Sequence, residues 1–375
     1  MILRVPDYYD EFSCIAGECT GSCCDGWEID IDDATREYYS QVPGEIGERL
    51  RDKLYKGEDG EYRFRLGEHG RCPFLNDDNL CDIIIALGEE ALSEVCTDFP
   101  RFALSYGHVM QRILSVSCEE VGRIILSRTE PVKFVERSMP DCMEDWEDEE
   151  ADDAYIAFLE TIQNRAIAIL QDRSKPISER IALFLGLCEK AQEGINQYGM
   201  DEDAEILTDT LAELEPPNVS TNFRVEDWER GKDAQKLYEA FDIRWAILEE
   251  LEELGEEWVA TKKRVRKVLT EENYAELREA FMTSDAYDAI VYEQLLVYFA
   301  FRYLMQAVYS CDLLAYGKMI VSFALMVRDL DLMCWTENGG TYELKQRTRM
   351  AYIFSREVEH SEENFEQIRE ELMFE

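Results

Sequence analysis

Histidine and basic charge are both scarce in this sequence. The chain of 375 residues contains 3 His, and its 39 Lys and Arg stand against 81 Asp and Glu, which gives a formal net charge of −42. A nucleic-acid-binding protein needs a basic surface to meet the phosphates, and an anionic membrane attracts the same kind of surface. The composition therefore excludes nucleic acid and membrane as partners.

The sequence also lacks a long uncharged apolar run. Its two most apolar stretches are residues 290–305, which contain Glu293 and Arg302, and residues 313–327, which contain Lys318. A membrane-spanning helix needs about 20 mostly uncharged residues. We therefore interpret both stretches as buried helices.

The N-terminus does not fit a secretion signal, because Pro6 and Asp7 interrupt the apolar stretch that such a signal requires. We expect a cytoplasmic protein, whose thiols stay reduced. The hydrophobic fraction of 46% is sufficient for a large core, whereas disordered acidic chains are poor in apolar residues.

Cysteine, in contrast, is abundant. The chain has 12 Cys, nine of them within the first 142 residues. In a reducing compartment this count indicates metal or redox chemistry more than disulfides. Eight of the nine form the predicted metal-binding set: Cys14, Cys19, Cys23, Cys24, Cys72, Cys81, Cys96 and Cys118.

The other four cysteines are predicted to lie outside this set. Cys142 falls in an acidic stretch that disfavours its thiolate. Cys188, Cys311 and Cys334 fall on apolar helical faces, where a free cysteine behaves as a small buried hydrophobic residue.

The first four cysteines of the set follow the pattern C-x4-C-x3-C-C, with Gly17, Gly21 and Gly26 allowing tight backbone turns among them. Thiolates suit zinc or iron–sulfur clusters, and four of them complete one site of either kind. Eight thiolates could hold two sites, or one site plus structural or redox thiols. The adjacent Cys23 and Cys24 point apart, so one can serve a metal while its neighbour serves something else.

Several known motifs are absent from the sequence. The C-x3-C-x2-C loop of radical SAM enzymes fails because Gly26 stands at its third position. The bacterial ferredoxin run, the C-x2-C pair of zinc ribbons, the G-x-G-x-x-G fingerprint and the P-loop are also missing. The cysteine pattern thus defines a metal site without naming its metal.

The organisation along the chain predicts a mainly α protein with two parts. Residues 1–140 are predicted to form a small cysteine-rich α+β metal-binding domain, with a helix starting near Asp32, a strand within 61–66 and a helix over 87–96. Residues 141–153 contain nine acids and no base, which predicts a linker or exposed loop, although an insertion within a single domain would look the same.

Residues 154–375 are predicted to form a larger all-α domain. Apolar residues recur there at spacings of three and four, as in amphipathic helices. The predicted helices cover residues 154–170, 177–191, 204–214, 228–254, 271–281 and 286–309, and a last helix with a possible interruption covers 341–373.

Three strings make the chain resemble the flagellin lysine-N-methylase family. They are residues 14–27 (CIAGECTGSCCDGW), 72–75 (CPFL) and 92–101 (LSEVCTDFPR). The first ~125 residues are also similar to a broader cysteine-rich family described as putative zinc- or iron-chelating. The resemblance implies a cytoplasmic enzyme that transfers methyl groups from S-adenosylmethionine to lysine amines of flagellin. It also implies an iron–sulfur cluster of the [4Fe–4S] type on these cysteines, with zinc as the alternative.

If that resemblance holds, the sequence offers few catalytic residues. Glu119 and Glu120 are candidate bases, or an ordinary acidic pair at a helix N-terminus. Trp27 could contact a lysine cation, or pack as a core indole. The alternative function is a non-catalytic metal-binding or electron-carrying protein with a helical interaction domain, or a scaffold that zinc holds together.

Overall fold

The computed structural model describes residues 1–26, 28–139, 152–201, 203–214 and 223–373. Contacts divide the chain into two compact units. We call Phe12–Phe102 with Leu114–Val121 the cysteine unit, and Met1–Glu11, Ala103–Ile113 and Gly122–Glu375 the helical unit. The predicted mainly α architecture is confirmed.

These units differ from the predicted spans 1–140 and 154–375. Strands at residues 2–6 and 134–138, and most of those at 101–106 and 109–114, belong to the helical unit although they lie in the first 139 residues. The predicted linker 141–153 lies outside the described residues except for its last two positions. That linker stays a prediction.

Within the described residues, six β-strands form two sheets. The strands are β1 (Ile2–Pro6), β2 (Leu54–Lys56), β3 (Tyr62–Phe64), β4 (Arg101–Tyr106), β5 (Val109–Leu114) and β6 (Phe134–Ser138). The larger sheet has the order β4-β5-β1-β6, with β1 parallel to β5 and antiparallel to β6. The β2–β3 pair is an antiparallel ribbon in the cysteine unit, which confirms a strand within 61–66.

The α-helices carry most of the described chain. They are α1 (Asp33–Gln41), α2 (Gly44–Lys53), α3 (Asp82–Leu87), α4 (Glu94–Asp98), α5 (Glu119–Leu126), α6 (Asp153–Leu170), α7 (Ile177–Asp201), α8 (Ala204–Glu213), α9 (Ala234–Glu250), α10 (Glu256–Val268), α11 (Tyr274–Thr283), α12 (Ala289–Tyr303), α13 (Ala307–Ser310), α14 (Leu313–Glu337), α15 (Leu344–Val358) and α16 (Glu362–Met373). None of the helices in the described residues combines the length and apolarity needed to cross a membrane.

Aspartates explain where many of these helices begin. The Asp32 side chain accepts a hydrogen bond from the Thr35 amide at the start of α1, as the sequence predicts. Five further aspartates accept from amides in the first turns of α6, α8, α9, α12 and α14: Asp152, Asp203, Asp233, Asp288 and Asp312. A carboxylate there satisfies a free amide and interacts favourably with the helix dipole. Part of the acidic excess therefore has a local structural role.

The core of the helical unit is built around α14, which packs against α7, α12, α15 and α16. Nearly every residue of α12 and most of α14 are buried. The charges in these apolar stretches have partners. The Glu293 carboxylate lies 2.7 Å from Arg180 Nη1, Arg302 Nε lies 3.3 Å from Glu359 Oε2, and Lys318 Nζ donates to a backbone carbonyl. The prediction of two buried helices is confirmed.

Several of the predicted helices are wrong in extent. The predicted helix over 177–191 continues to Asp201 as α7. The predicted helix over 228–254 begins later, because Gly231 adopts φ +67° and Asp233 caps α9. The predicted helix over 87–96 is broken, because Gly88 at φ +93° ends α3 and a 3₁₀ turn precedes α4. Glycine adopts positive φ without the penalty of a side chain.

One buried carboxylate, Asp329, joins three donors in the core. Its side chain is fully buried and accepts hydrogen bonds from Arg244 Nη2 at 3.0 Å, from Tyr274 OH at 3.0 Å and from Trp245 Nε1 at 3.3 Å. Arg244 also donates to Asp227 at 3.0 Å. Buried charges persist when they are paired in this way.

Another buried carboxylate belongs to Glu357 of α15, and it contacts the backbone just before α10. It accepts a hydrogen bond from the Leu254 amide at 3.1 Å and is 4% exposed. Burial raises the pKa of Glu357 to about 7, although the backbone at Leu254 and Gly255 and the charges of Arg356 and Lys262 lower it.

Candidate functional site

All eight cysteines of the predicted metal-binding set lie in the cysteine unit, and all are free thiols. The first of them lie on a loop that close backbone contacts hold in place. The Gly26 amide donates to Gly70 O at 3.0 Å, and the Cys72 amide donates to Cys24 O at 2.8 Å. Both glycines have positive φ, and a Cβ on Gly70 would come within 2.9 Å of the Gly26 Cα. The expected tight turn at Gly26 is therefore present.

Four of the thiols, which we call the core group, pack on the hydrophobic core of the cysteine unit. They are Cys24, Cys72, Cys81 and Cys96. Cys72 is buried, and the other three are half-buried. The core they contact includes Tyr39, Phe64, Phe74 and Ile83.

The local fold explains how distant cysteines reach this core. The CPFL turn at residues 72–75 pairs with the start of α3, where Leu75 forms a β-bridge with Cys81 and the Asp82 amide donates to Phe74 O at 2.8 Å. Cys96 lies in α4. Tyr39 OH donates to Ala91 O at 2.7 Å, which ties α1 to the segment that precedes α4.

The thiols of the core group influence one another electrostatically. Burial raises the pKa of Cys72 to about 12 and that of Cys96 to about 11, and it also raises the pKa of Cys81. The Cys24 thiol contributes to each of these three increases. Cys81 contributes at Cys72 and Cys96, and Cys96 contributes at Cys72, so every pair of thiols in the core group interacts.

We call the remaining four thiols the loop group, of which three lie on the N-terminal loop and Cys118 directly precedes α5. They are Cys14, Cys19, Cys23 and Cys118. Cys14 and Cys23 are exposed, and Cys19 and Cys118 are half-buried. Burial raises the pKa of Cys19 to about 12, with Cys118 contributing, and it raises the pKa of Cys118 to about 11, with Cys14 contributing.

Glu119 ties the loop to the start of α5. Its carboxylate accepts from the Thr20 amide at 2.9 Å, from Thr20 Oγ1 at 2.5 Å and from Cys19 Sγ at 3.6 Å. The sequence offers this residue as a base or as a helix N-terminal acid. In the structure it lies in the first turn of α5 and positions the loop that carries the thiols.

The adjacent thiols of Cys23 and Cys24 share a hydrogen bond. This bond lowers the pKa of Cys24 to about 7 and raises that of Cys23. The Cys24 amide donates to Ser22 Oγ at 3.1 Å, and Arg71 also stabilises the Cys24 thiolate. The Cys14 and Cys118 thiols add to the increase at Cys23. The two adjacent thiols thus interact most strongly with each other, and Cys23 also interacts with the thiols of Cys14 and Cys118.

The thiols are suited to a metal in number and chemistry, since soft ligands in groups of four are what zinc and iron–sulfur clusters take. Across the described residues, however, no three side chains of His, Cys, Asp or Glu are arranged to hold a metal ion. The assignment of the eight cysteines as metal ligands stays a prediction.

The other predicted positions fall elsewhere. Cys188 and Cys334 are buried as expected, but Cys311 is exposed, because it follows α13 in a left-handed conformation at φ +57°. Trp27 and Cys142 lie outside the described residues.

A cavity of about 420 Å³ lies in the helical unit. Its lining includes Phe134 and Phe301, whose rings stack at 4.1 Å, together with Arg4 and Gln163. This volume is in the range of small-molecule pockets. None of the eight cysteines lines this cavity. We therefore take the cysteines, and not the cavity, as the candidate functional site.

The helical unit also carries the family relationship. Residues 163–375, from within α6 to the end of the chain, match the model of the FliB lysine N-methylase C-terminal domain. The match covers more than half of the chain and defines its class as the protein-lysine methyltransferases. The chain belongs to the FliB lysine N-methylase family, which confirms the resemblance read from the cysteine-rich strings.

Curated relatives agree with this family. The chain is 31% identical over 137 residues to the flagellar biosynthetic protein FliU of Salmonella muenchen, which covers 35% of this chain and 81% of that protein. It is 31% identical over 140 residues to the lysine-N-methylases of Salmonella typhimurium and Salmonella choleraesuis, which covers 36% of this chain and 35% of each enzyme. The chain thus spans about a third of the length of those two enzymes. No solved structure matches.

Proposed function

We propose that this protein transfers methyl groups from S-adenosylmethionine to the side-chain amines of lysines in flagellin. The observation that carries the proposal is the family match over residues 163–375, which includes the central helices α12 and α14. Two further relatives are named lysine-N-methylases, and another is named a flagellar biosynthetic protein. These names support lysine as the acceptor and a flagellar protein as the substrate.

The proposed reaction moves one carbon between two heteroatoms. The electron pair of the lysine Nζ forms a bond to the methyl carbon, the bond from that carbon to the sulfonium sulfur breaks, and its electron pair stays on sulfur. The amine must be neutral to attack, whereas a lysine side chain is cationic at neutral pH. A proton therefore leaves Nζ for the solvent or a protein base.

The charge of the chain favours a lysine-bearing partner. With a net charge of −42, the protein attracts cationic side chains and accelerates their encounter at low ionic strength. Residues 141–375 carry most of this excess, with 24 basic against 53 acidic residues. Attraction of this kind brings the lysine to the surface, and deprotonation of the amine is a separate step.

The proposal includes an iron–sulfur cluster on the predicted cysteines, with zinc as the alternative. Four thiols from the core group and the loop group would hold it, since these thiols are free and suited to soft metals. When bound, such a cluster supplies a one-electron redox centre. Glu119 would keep the ligand-bearing loop on α5 through its bonds to Thr20.

The test uses the purified full chain, S-adenosylmethionine and flagellin. We expect calorimetry to detect binding of S-adenosylmethionine, and intact-mass analysis to show flagellin gaining mass in methyl increments. Flagellin with acetylated lysines is the matched control and should not change. Absence of both binding and mass gain would refute the methyltransferase and favour the metal-binding or electron-carrying alternative.

A further inference from the structure

We propose that the cavity of the helical unit binds S-adenosylmethionine, with the amino-acid end of the ligand at Arg4 and Glu136 and its adenine against Phe134. The inference rests on the proposed function, which requires this methyl donor, and it goes further by naming the residues that hold it. All residues that line the cavity belong to the helical unit. The cavity volume of about 420 Å³ falls within the ~300–1,000 Å³ of pockets that enclose small ligands.

The edge of the larger sheet and two helices build this cavity. Strand β6 is an edge strand, and its residues Phe134 and Glu136 share one face of the sheet because they are two positions apart. Arg4 of β1 is the direct cross-strand neighbour of Glu136. Helix α6 contributes Gln163, and α12 contributes Phe301. Glu136 is exposed, so a ligand can enter the cavity from solvent on this side.

Arg4 and Glu136 each keep a group for a ligand. Arg4 Nε and Nη2 donate to Glu136 Oε1 at 3.1 and 2.7 Å. Arg4 Nη1 lies 2.9 Å from Glu160 Oε1 and donates to Tyr106 OH at 3.4 Å. Because a guanidinium has two N–H donors on each terminal nitrogen, one N–H of Nη2 is left for a ligand carboxylate. The contacts of Glu136 within the described residues end on Oε1, which leaves its Oε2 for a ligand cation.

The charge balance at the cavity favours a ligand that is cationic overall. The positive charge of Arg4 stands against the negative charges of Glu136 and Glu160, and no other basic side chain among the described residues lines the cavity. S-adenosylmethionine carries the complementary set of charges, which is one carboxylate, one ammonium and the sulfonium. A nucleoside polyphosphate would instead add negative charge to a site that is already negative, and is disfavoured.

An aromatic surface and a fixed amide suit the adenine. The rings of Phe134 and Phe301 stack with their centroids 4.1 Å apart, and Phe134 is only half-buried, which leaves part of its ring for a base to stack on. Gln163 is 1% exposed, and its Nε2 donates to the carbonyls of Ala300 and Phe301 at 3.4 and 3.1 Å. These bonds fix the amide, and among the described residues no donor reaches Gln163 Oε1. That buried acceptor can take a hydrogen bond from the exocyclic amine of adenine.

Calorimetry on the full chain tests this placement with two ligands, S-adenosylmethionine and methylthioadenosine, which lacks the amino-acid end. Glu136→Gln keeps the size of the side chain but loses its charge. We expect it to weaken binding of S-adenosylmethionine by about tenfold and to leave binding of methylthioadenosine unchanged. Phe134→Leu keeps an apolar side chain but loses the stacking surface, and it should weaken binding of both ligands by about tenfold.

The matched control is Asp10→Asn, which removes an exposed carboxylate of the same unit, paired with Arg137 at 2.5 Å. Both affinities should be unchanged in this variant. Urea unfolding checks that each variant is folded, and the exposed Glu136→Gln decides the question alone if Phe134→Leu does not fold. Equal weakening of both ligands by Glu136→Gln, or no weakening of either, would overturn the placement.

Hydrogen exchange on the wild-type chain gives an independent readout. S-adenosylmethionine should slow exchange in β6 and in the part of α6 around Gln163, and slowing confined to other segments would contradict the placement. A chain that binds no S-adenosylmethionine would overturn both the placement and the proposed function. Methylation of flagellin with unchanged affinities in Glu136→Gln and Phe134→Leu would defeat only the placement. The expected affinities without any methylation would support the placement and defeat only the proposed transfer.

Discussion

Replacing Glu293 by alanine should strongly destabilise the helical unit. The carboxylate is fully buried in α12, 2.7 Å from Arg180 Nη1 and 2.8 Å from Arg173 Nη2. The Arg180 side chain is 5% exposed, and its Nη1 otherwise donates to Leu170 O at 2.7 Å. Without Glu293, Arg180 would keep a buried positive charge with no counter-charge at that position.

The expected loss of stability depends on how far each of the two arginines is buried. Breaking a buried pair by removing one partner costs about 3–5 kcal/mol. The Arg173 side chain is 33% exposed, so it can turn to water and adds less than about 1 kcal/mol. We therefore expect Glu293→Ala to lower the free energy of unfolding by about 3–5 kcal/mol, and Glu293→Gln, which keeps an acceptor but loses the charge, by a smaller amount.

Urea unfolding followed by tryptophan fluorescence measures this change, because Trp228, Trp245 and Trp258 are buried in the helical unit. The matched control is Glu337→Ala, which removes a half-exposed partner of Arg264 and should cost less than about 1 kcal/mol. If Glu293→Ala changes stability no more than this control, the reasoning about paired charges in the apolar helices is wrong.

Three further predictions concern named contacts. Asp329→Ala should cost about 3–5 kcal/mol in the same urea assay, because it leaves Arg244, Tyr274 and Trp245 short of an acceptor; a cost under about 1 kcal/mol would contradict this. Burial raises the pKa of Glu357 to about 7 from 4.5, so the folded state binds more protons between these pH values. The free energy of unfolding should therefore fall by about 3 kcal/mol as pH rises through that window. Unfolding measured at several pH values should show Glu357→Gln losing this contribution to the slope, and an unchanged slope would refute it. Gly70→Ala should cost about 1–3 kcal/mol through its φ of +77°, and more through its approach to Gly26. Gly231→Ala, with φ +67° and open space, controls for the backbone cost, and only Gly70→Ala should also reduce metal retention by the cysteine unit.

The sequence was most informative where local chemistry decides structure. Asp32 predicts the start of α1 because an aspartate at that position caps its own helix. The charges within the apolar stretches 290–305 and 313–327 favour buried helices over membrane spans. The partners of these charges lie far away in sequence, as Arg180 does for Glu293 and Glu359 does for Arg302. Those partners are visible only in the fold, since spacing along one helix carries no information about its neighbours.

The grouping of the thiols shows why the rest required the structure. The spacing C-x4-C-x3-C-C leaves open which cysteines lie together, and only the fold shows that Cys24 packs with Cys72 on the core. Cys118 lies near the loop in the fold, where its neighbour Glu119 accepts from Thr20 about a hundred residues earlier. Similarly, the end of α3 depends on the backbone of Gly88, which a helical pattern over 87–96 conceals.

The central claim is that this member of the FliB lysine N-methylase family methylates flagellin lysines. The most direct measurement is the intact mass of flagellin from cells that produce it with and without this chain. The account predicts added mass in methyl increments, located on lysine side chains by peptide mapping, only where the chain is present. Flagellin of identical mass from both cultures, with the folded chain present in one, would contradict it.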